Sequence, residues 1–257
     1  MSNLSRRAFF AIALSLCSAA LFASAVPADK SKFHVFLLAG QSNMAGRGVL
    51  DKTNRLSIER VLKLDASGKW VPAVEPIHYD KKIAGAGLGA SFARAVADAD
   101  PSITVGLVPV AVGGTGIDRW VEGGDLWSNA VARTRIALKS GTLKGILWHQ
   151  GESDASSAKR TPLWEGKFKS MIESFRREFG PVPFVAGELG RYLNERKTRW
   201  REINAQLHRL EGVVRGYRVV SSEGLTPKSD NVHFDTPSLR EFGRRYAEAY
   251  RQLSKRP

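Results

Sequence analysis

The sequence has almost no cysteine: Cys17 is the only one among 257 residues. Cys17 lies in an apolar N-terminal segment that we expect to be removed, so the remaining chain would contain none. A protein without cysteine forms no disulfide, no thiolate metal site and no cysteine nucleophile. Its stability must therefore come from a packed core, which a chain of this length can build without covalent cross-links.

Long hydrophobic runs are also scarce, and the one that stands out is N-terminal. Two arginines precede an apolar run over 8–22, and small residues at 23–25 suit a signal peptidase. The run is shorter than the roughly 20 residues that span a bilayer. We therefore predict a signal peptide over 1–25, cleaved near Ala25, and a protein that is exported to the periplasm or beyond without stable membrane insertion. The Ser5-Arg6-Arg7 start is typical of the twin-arginine route, which stays open beside the general one.

Acidic residues are fewer than basic ones, 25 Asp and Glu against 39 Lys and Arg, which gives a net charge of +14. Such an excess attracts acidic partners, including nucleic acid and acidic polysaccharide. The densest basic stretch, 191–218, has interleaved glutamates, as is usual for the solvent-exposed face of a helix. No nucleic-acid-binding motif is present and the export signal points away from the cytoplasm, so we predict no nucleic-acid partner.

What the sequence does contain is an alternation of short β-branched runs with longer stretches of helical period. The strand candidates are 33–38, 103–111, 143–148, 182–186 and 217–221. The helix candidates are 88–99, 126–138, 163–179, 195–210 and a C-terminal segment that starts at Thr236-Pro237 or at Ser238 with Glu241. This alternation is typical of β-α units around a parallel sheet. We predict one domain over 26–257, a three-layer α/β/α sandwich with a central, mostly parallel five-stranded sheet of flavodoxin-like type.

The stretch 45–87 shows neither period, and we predict that it forms loops that wall a site. In this fold class ligands bind outside the carboxyl ends of the strands. Ser42 follows the first strand on a glycine-flanked turn, and Gly113 and Gly114 follow the second. The third strand is followed by the segment 148–154, which carries an amide and a carboxylate.

An aspartate and a histidine share the loop after the fifth strand. Asp230 and His233 are three residues apart, a spacing that lets a carboxylate orient an imidazole, and Asp235 is the alternative partner. Each feature alone has a structural explanation, such as a helix cap, a tight turn or a structural histidine. The combination of a serine, a glycine turn, an amide donor and an Asp/His pair at one edge of one sheet is what nucleophilic acyl transfer needs.

Four blocks of the sequence resemble, in order and spacing, those of SGNH-type hydrolases. They are Gly40-Gln41-Ser42-Asn43-Met44, Gly113-Gly114-Thr115, Trp148-His149-Gln150-Gly151-Glu152-Ser153-Asp154 and Asp230-Asn231-Val232-His233. The first and third blocks are similar to those of carbohydrate esterase family 6 and of the sialate O-acetylesterase-like domain. The resemblance extends over 33–249. It implies an SGNH-hydrolase fold and a secreted serine esterase that removes O-acetyl groups from carbohydrate, of the acetyl xylan or the sialic acid type.

The resemblance also implies roles for individual residues. Ser42 would attack the acetyl carbonyl, His233 would act as general base and then acid, and Asp230 would orient the imidazole. The developing oxyanion would be met by the N–H groups of Ser42 and Gly114 and by the side-chain amide of Gln150.

Two further residues, Glu152 and Asn43, would be auxiliary, with Glu152 bracing either the histidine or the Gln150 loop. The scheme implies no cofactor. The five histidines are scattered without His-x-His or His-Glu-x-x-His spacing, so we also predict no metal site.

Two other functions stay open on the sequence alone. An SGNH esterase that acts on another short acyl ester would use the same residues. A non-catalytic binder of acidic polysaccharide would use the positive charge without turnover. The oligomeric state is open as well.

Overall fold

The structure is a computed structural model that describes residues 26–255, so the predicted signal peptide over 1–25 lies outside the described residues. The described chain is built on one sheet with the strands β1 (Phe33–Gly40), β2 (Val61–Leu64), β3 (Trp70–Pro72), β4 (Thr104–Pro109), β5 (Thr142–His149), β6 (Phe184–Gly187) and β7 (Tyr217–Val220). Their order is β3-β2-β4-β1-β5-β6-β7, and every neighbouring pair is parallel except β2 with β3. The first strand of the sequence is therefore the central strand of the sheet.

Within residues 26–255 the sheet has seven strands, two more than the five predicted. The five predicted strands are all present, although several start or end at different residues. The additional strands, β2 and β3, lie in the stretch 45–87, for which we predicted loops. They pair antiparallel from Leu62↔Pro72 to Leu64↔Trp70. With four and three residues, they are too short for an alternating pattern to show in the sequence.

The α-helices of the described chain are α1 (Ser42–Ala45), α2 (Leu88–Ala99), α3 (Asp125–Ala137), α4 (Glu152–Ala155), α5 (Trp164–Phe179), α6 (Trp200–Arg209) and α7 (Thr236–Ser254). Helix α6 begins at Trp200 and not at Glu195, because the Asn194 carbonyl accepts from Lys197 N and Thr198 N in a separate turn. Between residues 26 and 255, none of the helices combines the length and the apolar character needed to cross a bilayer.

Alternate residues of β1 pack into two apolar layers. Val35, Leu37 and Ala39 share one cluster with the buried faces of α3, α5 and α6. Phe36 and Leu38 share the other with α2 and α7. A strand that is buried on both faces is typical of a parallel sheet covered by helices. The predicted three-layer sandwich is confirmed, with seven strands in its middle layer.

A buried histidine lies in the segment that leads from β3 to α2. Its burial leads us to expect that the protein becomes less stable as the pH falls. His78 is 3% exposed, and burial disfavours its charged form and lowers its pKa to about 4. In an unfolded chain a histidine has a pKa of about 6.5. Between these two values the unfolded chain binds a proton that the folded protein excludes, so stability is lost as the pH falls through this window.

We expect this group to lower the free energy of unfolding by about 3 kcal/mol between pH 7 and pH 4. Urea denaturation at the two pH values measures the loss, and His78→Gln is expected to remove this part of it. An equal pH dependence in the wild-type protein and in the variant would contradict the assignment.

Candidate active site

Ser42 lies at the carboxyl end of the central strand, on a sharp turn into α1. Gly40 has a φ of 128°, and a Cβ there would lie 2.1 Å from the carbonyl oxygen of His149, so the turn requires glycine. Gln41 N donates to the same oxygen at 2.8 Å, which fixes the turn against the end of β5. Ser42 is 7% exposed, and its N–H in the first turn of α1 has no partner among residues 26–255.

His233 connects Ser42 to Asp230. Its Nε2 lies 3.0 Å from Ser42 Oγ, and its Nδ1 lies 2.8 Å from Asp230 Oδ2. The other carboxylate oxygen, Oδ1, accepts from the N–H groups of Val232 and His233, both at 2.9 Å. Burial alone would raise the pKa of Asp230, but these hydrogen bonds outweigh it and hold the pKa well below its ordinary value. An ionised Asp230 accepts from Nδ1–H, which leaves Nε2 free to accept the serine proton.

Asp235, the alternative partner of the histidine, has a different role. It is the N-cap of α7, and its Oδ1 accepts from Ser238 N at 2.8 Å. Its Oδ2 accepts from the hydroxyl of Thr226 at 2.7 Å. Helix α7 starts at Thr236, the first of the two predicted starts, because this cap stands directly before it. The carboxylate beside the imidazole is therefore that of Asp230.

Asn43 holds the histidine loop on both sides of His233. Its Oδ1 accepts from Phe234 N at 3.1 Å, and its Nδ2 donates to the carbonyl of Val232 at 3.4 Å. The side chain is 1% exposed. Since Asn43 follows Ser42 directly in the chain, this one amide fixes the distance between the serine and the histidine.

Glu152 orients the Asn43 amide. Its Oε1 accepts from Asn43 Nδ2 at 2.6 Å and lies 3.2 Å from His149 Nε2. Burial would raise the pKa of Glu152, but the His149 imidazole and the Asn43 hydrogen bond outweigh it and lower the pKa. The contacts fit both roles open to Glu152: it reaches the His233 loop through Asn43 and the Gln150 loop through His149.

The glycine turn after β4 lies directly against Ser42. A Cβ built on Gly113 would stand 3.3 Å from the Cβ of Ser42. Gly113 N donates to Asp80 Oδ2 at 2.9 Å, whereas Gly114 N has no partner among the described residues. Gly114 has a φ of 80° and lines the same cleft as Ser42. The N–H groups of Ser42 and Gly114 are thus both available at one place.

The Gln150 side chain, in contrast, does not face the cleft, which corrects the expectation that its amide meets the oxyanion. Gln150 is 0% exposed. Its Nε2 donates to the carbonyl of Thr115 at 3.0 Å and to Asp154 Oδ2 at 2.5 Å. Its Oε1 accepts from Trp164 Nε1 at 2.9 Å. Because both amide hydrogens are committed, Gln150 fixes the glycine turn through Thr115 and is left with no hydrogen to donate to a ligand.

A second glutamine, to which we assigned no role from the sequence, lines the cleft and has an unpaired amide nitrogen among the described residues. Gln41 precedes Ser42 and lines the cleft. Its Oε1 accepts from Ser153 N at 3.3 Å, whereas its Nε2 has no partner in the part of the chain that the structure describes. The sequence feature that could have pointed to Gln41 is its position directly before Ser42, in the same block.

The cleft has a volume of about 350 Å³ and is open to solvent. The residues that line it are Gln41, Ser42, Arg47, Lys81, Ile83, Gly113, Gly114, Glu152, Ser153, Val232 and His233. Lys81 and Ile83 are exposed at its mouth. Residues 26–255 contain no group of three or more His, Cys, Asp or Glu side chains that could hold a metal ion. The arrangement is a serine hydroxyl hydrogen-bonded to a histidine, with unpaired N–H donors lining the same cleft, a set that suits nucleophilic catalysis.

Comparison with known proteins gives a consistent result. A family model described as "Carbohydrate esterase, sialic acid-specific acetylesterase" matches residues 32–252. A probable carbohydrate esterase of Arabidopsis thaliana is 34% identical in an alignment 241 residues long, and the match covers 84% of this chain and 89% of the relative. An X-ray structure of an Arabidopsis thaliana protein superposes with a TM-score of 0.78 at 30% identity, covering 85% of this chain and 98% of that one.

More distant structures share the fold. The crystal structure of NanS has a TM-score of 0.72 at 19% identity, covering 88% of this chain and 98% of that one. A carbohydrate acetylesterase from Xanthomonas citri has a TM-score of 0.65 at 21% identity, covering 85% of this chain and 56% of that one.

Proposed function

Because this chain belongs to the carbohydrate esterase family of sialic acid-specific acetylesterases, we propose that it hydrolyses O-acetyl esters of carbohydrates through an acyl-enzyme on Ser42. The observation that carries the mechanism is the hydrogen-bonded chain from Ser42 Oγ through His233 to Asp230, with distances of 3.0 and 2.8 Å. A serine hydroxyl is a weak nucleophile unless a base removes its proton, and this chain supplies the base.

In the first half of the reaction Ser42 Oγ attacks the acetyl carbonyl carbon, and its proton passes to His233 Nε2. The ionised Asp230 stabilises the imidazolium that forms. The negative charge on the carbonyl oxygen is met by the N–H groups of Ser42 and Gly114 and by Gln41 Nε2. When the tetrahedral intermediate collapses, the bond to the sugar oxygen breaks and that oxygen takes the proton from His233.

In the second half a water molecule attacks the acetyl-Ser42 ester. His233 Nε2 accepts a proton from the water, and the same donors meet the second oxyanion. Collapse releases acetate and returns the proton to Ser42 Oγ. The proton transfers of both halves run through Ser42 and His233, which lie within hydrogen-bond distance of each other, and Asp230 holds the imidazole in place.

The mouth of the cleft supports an acidic sugar as substrate. Lys81 lines the cleft and makes no ion pair with an acid anywhere in residues 26–255. A Cβ on Gly114 would lie 3.9 Å from Lys81 Nζ, so this cation is close to the proposed oxyanion hole. An O-acetylated sialic acid carries a carboxylate, which such a cation attracts. Acetylated xylan without uronic acid has no carboxylate and gains nothing from this charge.

The experiment is acetate release from three esters: an O-acetylated sialic acid, acetylated xylan and a chromogenic acetyl ester. We expect turnover of the chromogenic ester and the highest kcat/KM on the sialic acid, with Ser42→Ala as the blank. A preference for xylan would keep the reaction and change the substrate. No acetate from any of the three by a folded protein would overturn the proposal in favour of another acyl ester or a non-catalytic polysaccharide binder.

The two glutamines give a direct test of the oxyanion hole. Gln41→Ala is expected to lower kcat by about 10²-fold with little change in KM, since its amide binds the charge that develops in the transition state. Gln150→Ala is expected to lower the denaturation midpoint instead, because it removes three buried hydrogen bonds. Steady-state kinetics and thermal denaturation of both variants separate the effects. A larger loss of kcat in Gln150→Ala than in Gln41→Ala would restore Gln150 as the donor.

We also propose that the protein is exported and that residues 1–25 are removed near Ala25. The support is the composition of that segment, a pair of arginines, an apolar run and small residues before the cleavage point. Mass spectrometry of the intact exported protein determines the cleavage site directly. A mass that corresponds to the chain with residues 1–25 still attached would contradict the proposal.

A further inference from the structure

A buried ion pair lies beneath the glycine turn of the site and is not used in the mechanism above. Arg47 Nη2 lies 2.6 Å from Asp80 Oδ2, and the two side chains are 3% and 2% exposed. The guanidinium also donates through Nη1 to the carbonyl of Gly46 at 2.7 Å. A buried ion pair is weak evidence for stability, because desolvation of the charges offsets their attraction. A contribution to stability therefore does not explain why this ion pair is buried beside the glycine turn.

Both members of the pair contact the glycine turn. Asp80 Oδ2 accepts from Gly113 N at 2.9 Å. A Cβ added to Gly113 would also lie 2.4 Å from Arg47 Nη2. Gly113 immediately precedes Gly114, whose N–H is one of the proposed oxyanion donors, so the ion pair fixes the peptide group directly before the one that carries this donor.

Asp80 also brings a negative charge close to the place where the oxyanion forms. An unpaired carboxylate there would oppose the developing charge, because repulsion between like charges is strong where water is excluded. Arg47 is paired to Asp80 and lines the cleft itself. Burial would raise the pKa of Asp80, but the hydrogen bonds from Arg47 and Gly113 and the positive charge outweigh it and lower the pKa. The carboxylate is thus present as a charged acceptor and is neutralised locally.

We propose that Arg47 and Asp80 are positioning residues of the oxyanion hole: Asp80 holds the Gly113 peptide so that Gly114 N–H meets the oxyanion, and Arg47 cancels the charge of Asp80 beside it. This inference rests on the proposed function, since it assigns a role within that reaction. It predicts that charge balance at the pair, and not only its hydrogen bonds, sets kcat.

The test compares Arg47→Gln, Asp80→Asn and the double variant Arg47→Gln/Asp80→Asn with the wild-type protein on the chromogenic acetyl ester. Arg47→Gln leaves the carboxylate uncompensated and is expected to lower kcat about 100-fold, with KM changed less than threefold. Asp80→Asn keeps an acceptor for Gly113 N and is expected to lose less than tenfold. The double variant, neutral at both positions, is expected to be at least tenfold faster than Arg47→Gln. A double variant no faster than Arg47→Gln would overturn the charge argument.

A second pair of variants covers the case that Arg47→Gln does not fold. Asp80→Ala removes the acceptor for Gly113 N, whereas Asp80→Asn retains one, and neither leaves a negative charge behind. We expect kcat of Asp80→Ala to be at least tenfold below that of Asp80→Asn at a similar KM. Equal kcat in the two variants would overturn the positioning role.

A failure of the positioning role can be distinguished from a failure of the proposed esterase activity. If the wild-type protein hydrolyses the ester and Ser42→Ala does not, the proposed function holds and the Arg47 and Asp80 variants decide this inference. If the wild-type protein is inactive, the amide resonance of Gly113 in protein labelled with 15N-glycine decides it. We expect that resonance to move upfield in Asp80→Ala, because the hydrogen bond to a charged acceptor is lost. An unmoved resonance would overturn the inference.

Discussion

Replacing Ser42 with alanine is expected to lower kcat on an acetyl ester by about 10⁴- to 10⁶-fold, because the acyl-enzyme can no longer form. The remaining N–H donors still stabilise an oxyanion, so a residual rate above that in water is expected to survive. KM should change little, since Ser42 Oγ contributes almost nothing to binding of the ground state. Steady-state kinetics measures both constants.

Ser153→Ala is the matched control, because Ser153 is the other serine that lines the cleft. Its contact with Gln41 is made by the backbone N–H, which the substitution leaves in place. We expect it to lower kcat less than tenfold. A covalent serine reagent such as a fluorophosphonate should add its mass to the wild-type protein and to Ser153→Ala but not to Ser42→Ala. Labelling of Ser42→Ala would move the nucleophile elsewhere.

Replacing Asp230 with asparagine is expected to lower kcat by about 10⁴-fold while the fold stays intact. An asparagine amide can donate to His233 Nδ1, which would place the remaining proton on Nε2. The imidazole would then present a hydrogen to Ser42 Oγ instead of a lone pair, and general-base catalysis would fail. The loss should appear in kcat far more than in KM.

Asp235→Asn is the control for this second substitution. Asparagine caps helices about as well as aspartate, so α7 should keep its start and the midpoint of thermal denaturation should stay close to that of the wild-type protein. We expect a change in kcat of less than tenfold. If Asp235→Asn lowers kcat more than Asp230→Asn does, the orienting carboxylate has been assigned to the wrong residue.

The position of the site was predictable from the sequence because it follows from a rule of the fold. Alternation of strands and helices predicts a parallel sheet, and the ends of such strands meet at one edge. Ser42 and His233 each follow a strand, so their proximity needed no knowledge of side-chain direction. The strands β2 and β3 escaped prediction because runs of four and three residues carry too little pattern.

The directions of the amide side chains at the site were not predictable in the same way. Gln41 and Gln150 both stand at the end of a strand, and the sequence does not say which amide turns toward the cleft. The answer depends on buried partners far along the chain, such as Trp164 for Gln150. Likewise, nothing near Asn43 in the sequence indicates that its amide reaches Phe234, 191 residues away.

That contact has a consequence for how substrates are selected. Asn43 connects the turn of Ser42 to the loop of His233 through hydrogen bonds between protein groups alone, and Glu152 holds the Asn43 amide from the other side. The reactive groups are thus preorganised, and no ordering free energy has to be supplied by substrate binding. An enzyme assembled in advance does not discriminate by induced fit. Selectivity between acetylated sugars is then expected to come from affinity at the rim of the cleft, which is lined by Lys81, Ile83 and Val232.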